Sequence, residues 1–136
     1  MTRKEQETLL SYFPRSKATL RLLFAASRDG FSAKAFHEKC DWNGPTVTVV
    51  QSKHFNHVFG GYASVPWDNR RDFKRDTDAF IFLLRSSLPT FSSLKSAKWT
   101  VKDPDCAVFH HPTGGPNFGI SLFCFKLIIV CMEYMW

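Results

Sequence analysis

"PTVTVVQSKHFNHVFGGYASVPW", residues 45–67, decides the fold. Val47, Thr48, Val49 and Val50 in the first half and Val58, Phe59 and Tyr62 in the second are residues that suit a pleated, half-buried surface. The polar "SKHFN" between them breaks both patterns, so Pro45–Gln51 and His57–Trp67 are predicted to form an antiparallel hairpin. Gly60 and Gly61 fall inside the second strand. Paired glycines there point to a bulge or to close approach of another backbone.

Further strands are predicted on either side of this hairpin. Thr19–Ala26, "TLRLLFAA", is an apolar run of strand length, read as a buried strand, although helix satisfies the same periodicity. Ala79–Arg85, "AFIFLLR", is apolar on both faces and is expected to be central. "AKWTV" (97–101) and "CAVFH" (106–110) are short strands around the turn "KDPD", and "HPTGGP" (111–116) closes the last. "SLPTFSSLKS" (87–96) reads as a linker.

Two helices are predicted. "KEQETLLSYF" (4–13) puts Leu9, Leu10 and Phe13 on one side and stops at Pro14. "SRDGFSAKAFHEKC" (27–40) opens on an Asp29-Gly30 turn, is capped by Ser32, and carries Phe31, Ala35, Phe36 and Cys40 on one face. His37 is then expected on the solvent side and Cys40 in the core. An Arg28–Asp29 ion pair is conceivable, but a solvated turn with Asp29 bonding backbone amides is the ordinary expectation.

Composition agrees with a single β-rich core. The chain has 136 residues, 44% hydrophobic, with 14 Phe and 4 Trp, enough for one domain. The net charge is +6 but is not focused. The densest basic stretch, "DNRRDFKRDTD" (68–78), sets Arg70, Arg71, Lys74 and Arg75 against Asp68, Asp72, Asp76 and Asp78, so it reads as a solvated loop and no nucleic-acid partner is expected.

Site chemistry is sparse. Cys40, Cys106, Cys124 and Cys131 form no CxxC pair, and "MTRKEQETLL" lacks an apolar h-region, so free thiols in a reducing, cytoplasmic setting are expected. His37/Cys40, His54/His57 and Cys106 with His110/His111 contain every residue type a zinc site needs, yet not zinc-finger spacing. Cys40 at a helix C-terminus and Cys106 opening a strand after Asp105 both lack the positive surroundings that make a nucleophilic thiolate. Trp67 and Trp99 are read as core or edge packing, not as ligand platforms. "FGGY" lies within a strand, so it is not a phosphate loop. No catalytic, cofactor-binding or metal residue is assigned, and no cofactor is expected.

Several landmarks in order resemble the TLDc domain of oxidation-resistance proteins: "LLFAASRDGFSAKAFHEKC" (22–40), "GPTVTVV" (44–50), "FGGYASVPW" (59–67), "DAFIFLL" (78–84) and "VFHHPTGGPNFG" (108–119). The resemblance implies an α+β, mostly β fold: two packed antiparallel sheets, a β-sandwich with short flanking helices. It also implies a non-enzymatic protein-interaction module linked to oxidative-stress protection, with V-ATPase subunits as partners. The implied place is cytoplasmic or peripheral at organelle membranes. An enzyme or sacrificial-thiol antioxidant acting on peroxides is the rival.

The expected organisation is a helical segment at 1–18, a partial TLDc-like domain at 19–119 and a divergent apolar tail at 120–136. The family's glycine-rich continuation after "GPxFG" is replaced by "ISLFCFKLIIVCMEYMW", so the domain looks incomplete at its C-terminal end. Lys126 and Glu133 are the tail's charged residues, and at 17 residues it falls short of the ~20 apolar residues of a membrane span. Three readings of it stand: a replacement strand covering the open sheet, a weak anchor that would bring membrane contact, or the product of an altered transcript.

Overall fold

The computed structural model describes residues 1–13, 19–53, 55–87, 96–119 and 128–135, and of the last stretch only the side chains of Cys131 and Met132. Pro14, His54, Cys124 and most of the 87–96 linker lie outside these residues.

The architecture is two antiparallel sheets with short helices, and it is mostly β. The strands are β1 (Thr19–Ala25), β2 (Thr46–Gln51), β3 (Val58–Ala63), β4 (Asp72–Lys74), β5 (Phe80–Arg85), β6 (Ala97–Thr100), β7 (Val108–His110), β8 (Asn117–Phe118) and β9 (Ile128–Met135); the larger sheet has the order β1-β9-β2-β3-β5-β6 and the smaller β4-β7-β8. The predicted hairpin is β2 (Thr46–Gln51) with β3 (Val58–Ala63), in register from Thr46↔Ala63 to Gln51↔Val58. β2 is flanked on both sides, by β3 and by β9 (Ile128–Met135). Because both faces of the sheet are also covered there, its alternation does not separate core from solvent. Val47 and Val49 enter one core, while Thr46 and Thr48 are equally buried on the other face.

Each face of the large sheet has its own cover. On one face, α1 (Arg3–Ser11) lays Leu9, with Phe13 just beyond the helix, onto Val47, Val49, Val58, Tyr62, Phe80, Phe82 and Leu84. A capping box between Thr2 and Glu5 starts this helix, and Glu5 also meets Arg85 of β5 (Phe80–Arg85) at 3.1 Å. On the other face, α2 (Ala26–Asp29), α3 (Ala33–Cys40) and the small sheet bury Phe24, Phe36, Cys40, Ala63, Trp67, Val108 and Cys131. Ser32 caps α3 as expected, its Oγ accepting from Ala35 N–H.

Several expectations are corrected. β1 (Thr19–Ala25) is not a buried strand but an edge strand, with Leu22 48% exposed. β5 has neighbours on both sides, yet one of its faces is open at Ile81, because the small sheet covers only part of that side. Cys106 belongs to a 3-10 turn (Pro104–Cys106), and β7 begins at Val108 (Val108–His110). "DNRRDFKRDTD" is not a solvated loop: Asp72–Lys74 forms β4 against β7, and Asp68 and Asp76 are each 2% exposed.

The apolar tail contributes an interior strand. β9 pairs with β1 from Thr19↔Met135 to Ala25↔Val130 and with β2 from Thr46↔Glu133 to Gln51↔Ile128. Cys131 joins the helix-side core next to the small sheet, and Met132 packs against the α1 core on the opposite face. Among the described residues no helix is long and apolar enough to cross a membrane.

Candidate functional site

Polar side chains in this fold mostly join elements. Asp76, between β4 and β5, is a hub: its carboxylate accepts from Ser64 N–H (2.7 Å), Ser64 Oγ–H (2.6 Å), Val65 N–H (3.3 Å), Asp78 N–H (3.0 Å) and Ala79 N–H (3.1 Å). The last two are the local pattern of an Asx turn, a signal present in the sequence as "DTDA". The first three come from the end of β3 and bind two distant segments together.

His37 is a second joint, and its expected place on the wet side is corrected. Its side chain is 11% exposed, with Nδ1 2.7 Å from Asp41 Oδ1 and Nε2 2.9 Å from His111 O and 3.1 Å from Gly114 O. All three partners are acceptors, so a proton on each ring nitrogen is needed to make every contact at once. His37 thus fastens α3 to the "HPTGGP" turn 74 and more residues away. Nothing in the α3 sequence signals those carbonyls.

The third joint is Asp68 with His110. His110 Nδ1 lies 3.0 Å from Asp68 Oδ1 and 3.2 Å from Asp68 N, and the ring packs 5.2 Å from the Trp67 indole. Trp67 in turn donates from Nε1 to Thr46 Oγ1 at 2.8 Å. Burial pushes His110 below the usual histidine value, against the pull of Asp68. Burial alone would raise Asp68, but bonds from His110, Arg70 N–H and the Arg70 guanidinium overcome it and hold the carboxyl at about 2.

The turn before α3 holds an ion pair, and its Asp29 also reaches back to the backbone at the start of α2. Arg28 grips Asp29 through Nε (2.8 Å) and a terminal nitrogen (2.7 Å), and Asp29 also accepts from Ala25 N–H at 2.9 Å. The Arg28 bond is the main reason that Asp29 falls to about 2.

The imagined zinc ligands are dispersed into these joints. His37 and His110 are engaged as above, His111 bonds Arg71 and Thr113, and His57 accepts from Ser87 N–H. Among the described residues no three His, Cys, Asp or Glu side chains are arranged to hold a metal. The candidate thiols are poor nucleophiles. The Cys40 thiol contacts that of Cys131, and this contact together with burial pushes Cys40 above the ordinary thiol range. Cys106 is also shifted upward, by burial and by Asp103 and Asp105.

What the surface does offer is apolar. A groove of about 150 Å³ opens where the small sheet stops short of the large one, lined by Ile81, Trp99, Val101, Ala107 and Phe118. Ile81 and Trp99 are cross-strand partners, 42% and 43% exposed, and Trp99 sits on β6 (Ala97–Thr100), an edge strand. Trp67 is a core residue, whereas Trp99 lies on an edge strand with its ring partly exposed beside the groove.

Together these features define a small two-sheet domain, mostly β, whose ionisable groups hold its own elements in place and whose groove is apolar. A family model described as the TLDc domain matches residues 1–129, beyond both ends of the 19–119 stretch that carries the sequence landmarks. This chain belongs to the TLDc family. It is 32% identical over 71 residues to the human MTOR-associated protein MEAK7, covering 52% of this chain and 15% of that protein. The zebrafish (Danio rerio) and mouse (Mus musculus) proteins of the same description are 32% identical over 65 residues and 29% over 77, covering 48% and 57% of this chain. The alignments span only 14% and 17% of those two relatives.

Proposed function

We propose that this chain is a non-enzymatic interaction module that docks on a protein partner through the groove beside β6. V-ATPase subunits are the proposed partner, oxidative-stress protection the setting, and the cytoplasmic side of organelle membranes the place. The observation that carries the reading is the Ile81–Trp99 pair: two large apolar side chains left nearly half exposed, on β5 and on β6, the edge strand of the large sheet among the described residues. Aromatic residues at the centre of a groove are the usual anchors of protein interfaces, and an open edge can accept an added strand. The relatives' description as MTOR-associated proteins adds support, since it describes association with another protein.

Binding of the purified chain to isolated V-ATPase subunits tests this. Trp99→Ala is expected to weaken binding by about 30-fold or more, the loss of one hot-spot side chain. The same preparation should not turn over hydrogen peroxide. Catalytic peroxide consumption without a partner, slowed by Cys106→Ser, would establish the antioxidant reading instead.

A further inference from the structure

We propose that His110 is an acid-sensitive latch that holds the small sheet against the large one. Its side chain is 0% exposed and sits where β7 meets the segment between β3 and β4. Among the described residues its Nε2 has no hydrogen-bond partner.

The bonding at this joint cannot be completed in any protonation state. With the proton on Nδ1, the ring donates to Asp68 Oδ1, the Asp68 N–H loses its acceptor, and Nε2 is left with only a bare lone pair. With the proton on Nε2, Nδ1 accepts from Asp68 N–H, but its lone pair faces the carboxylate and a buried N–H goes unpaired. The imidazolium keeps the Asp68 bond, yet adds both a buried charge and an unpaired Nε2–H. The neutral Nδ1–H form is the least costly of the three.

The charges around the ring leave little to offset that cost. Asp68 is the acidic neighbour in contact, and its carboxylate is already shared with Arg70 (2.9 Å) and approached by Lys74 (3.9 Å). Lys74 of β4 opposes a positive ring, while Asp41 at the end of α3 favours one from farther away. Asp72, the cross-strand partner of His110, is 63% exposed and lies 3.4 Å from Lys74, and Asp41 is held by His37. His111, next in the chain, bonds Arg71 at the surface.

The sign follows from linkage. The folded ring titrates below 6.5, the ordinary value, so between these two pH values the unfolded or locally opened chain takes up a proton that the closed one refuses. The stability that His110 contributes is fully present above 6.5 and is lost as pH falls through that window. The opened element is the one His110 anchors, the sheet of β4, β7 and β8 (Asn117–Phe118), with Phe118 lifted from the Trp67 edge and from Gly61.

Two measurements test the latch. In a carbon-proton NMR titration of the whole chain from pH 8 to 4, the His110 resonances should titrate below 6.5. Amides of β4 and β7 should also lose exchange protection as pH falls below 6.5, corrected for intrinsic rates, more than those of β2 and β3. His110→Phe and, should that not fold, His110→Asn should remove the differential. A His110 midpoint at or above 6.5 overturns the latch, as does an equal loss of protection in both sheets or a differential that survives substitution.

Discussion

At the residue scale, the tightest constraints are steric. A Cβ on Gly60 would run into the Thr48 carbonyl oxygen and lie 2.8 Å from the Phe82 ring, and one on Gly61 would lie 2.7 Å from Phe118. The pair was legible in sequence as a place of close approach, and Thr48 supplies that backbone. No bulge occurs there, since β2–β3 register runs unbroken through Gly60 and Gly61. Gly60→Ala should therefore cost at least the ~1–3 kcal/mol of an overpacked core, seen as a lower urea midpoint at unchanged slope. Phe36, 2% exposed and packed edge-on against Phe24 and Trp67, should cost about 3–5 kcal/mol when changed to Ala. His37→Ala is expected to cost about 1–3 kcal/mol through the carbonyls and carboxylate it leaves unpaired, where a solvent-facing histidine would cost nothing measurable.

At the element scale, β9 matters most. The backbone of β2 is paired on both sides, and β9 is one of its two partners. Removing residues 120–136 would expose the edge of β2, strip β1 of its partner and open both cores at Cys131 and Met132. The shortened chain, 1–119, is expected to lose cooperative thermal unfolding and to aggregate, which circular dichroism and light scattering would report. A sharp transition near that of the full chain would show that β9 is dispensable. The β1–β9 pairing joins the first strand to the last, so the large sheet closes only when distant parts of the chain meet, a topology associated with slow folding.

At the scale of the whole molecule, the pH dependence has two windows. Above the acid range His110 sets the loss between 6.5 and its lower folded value. Further down, Asp68 and Asp29 are held at about 2 against an ordinary 3.8, so the stability they supply is present above 3.8 and disappears as pH falls through 2. Asp68→Asn should flatten the lower window and leave Asp29 as the main remainder, measured as urea midpoint against pH. The charge pattern is also a whole-molecule property. "DNRRDFKRDTD" is neutral in sequence, and folding divides its acids: Asp68 and Asp76 are buried, Asp68 paired with the exposed Arg70, while Asp72 and Asp78 stay at the surface with Arg71 and Arg75.

The sequence alone determined the elements whose signals are local. The 45–67 hairpin, the Ser32 cap, the apolar face of α1 and the burial of Phe36, Cys40 and Trp67 follow from side-chain period, branching and capping chemistry, which neighbouring residues settle among themselves. Landmark order carried the family. Tertiary structure decided whatever depends on a partner far along the chain: that β1 is an edge, that β9 is interior, and that His37, Asp68, Asp76 and His110 are joints between elements. The physical reason is that a polar side chain looks the same in sequence whether water or a distant backbone group satisfies it, and only folding brings the second within hydrogen-bond reach.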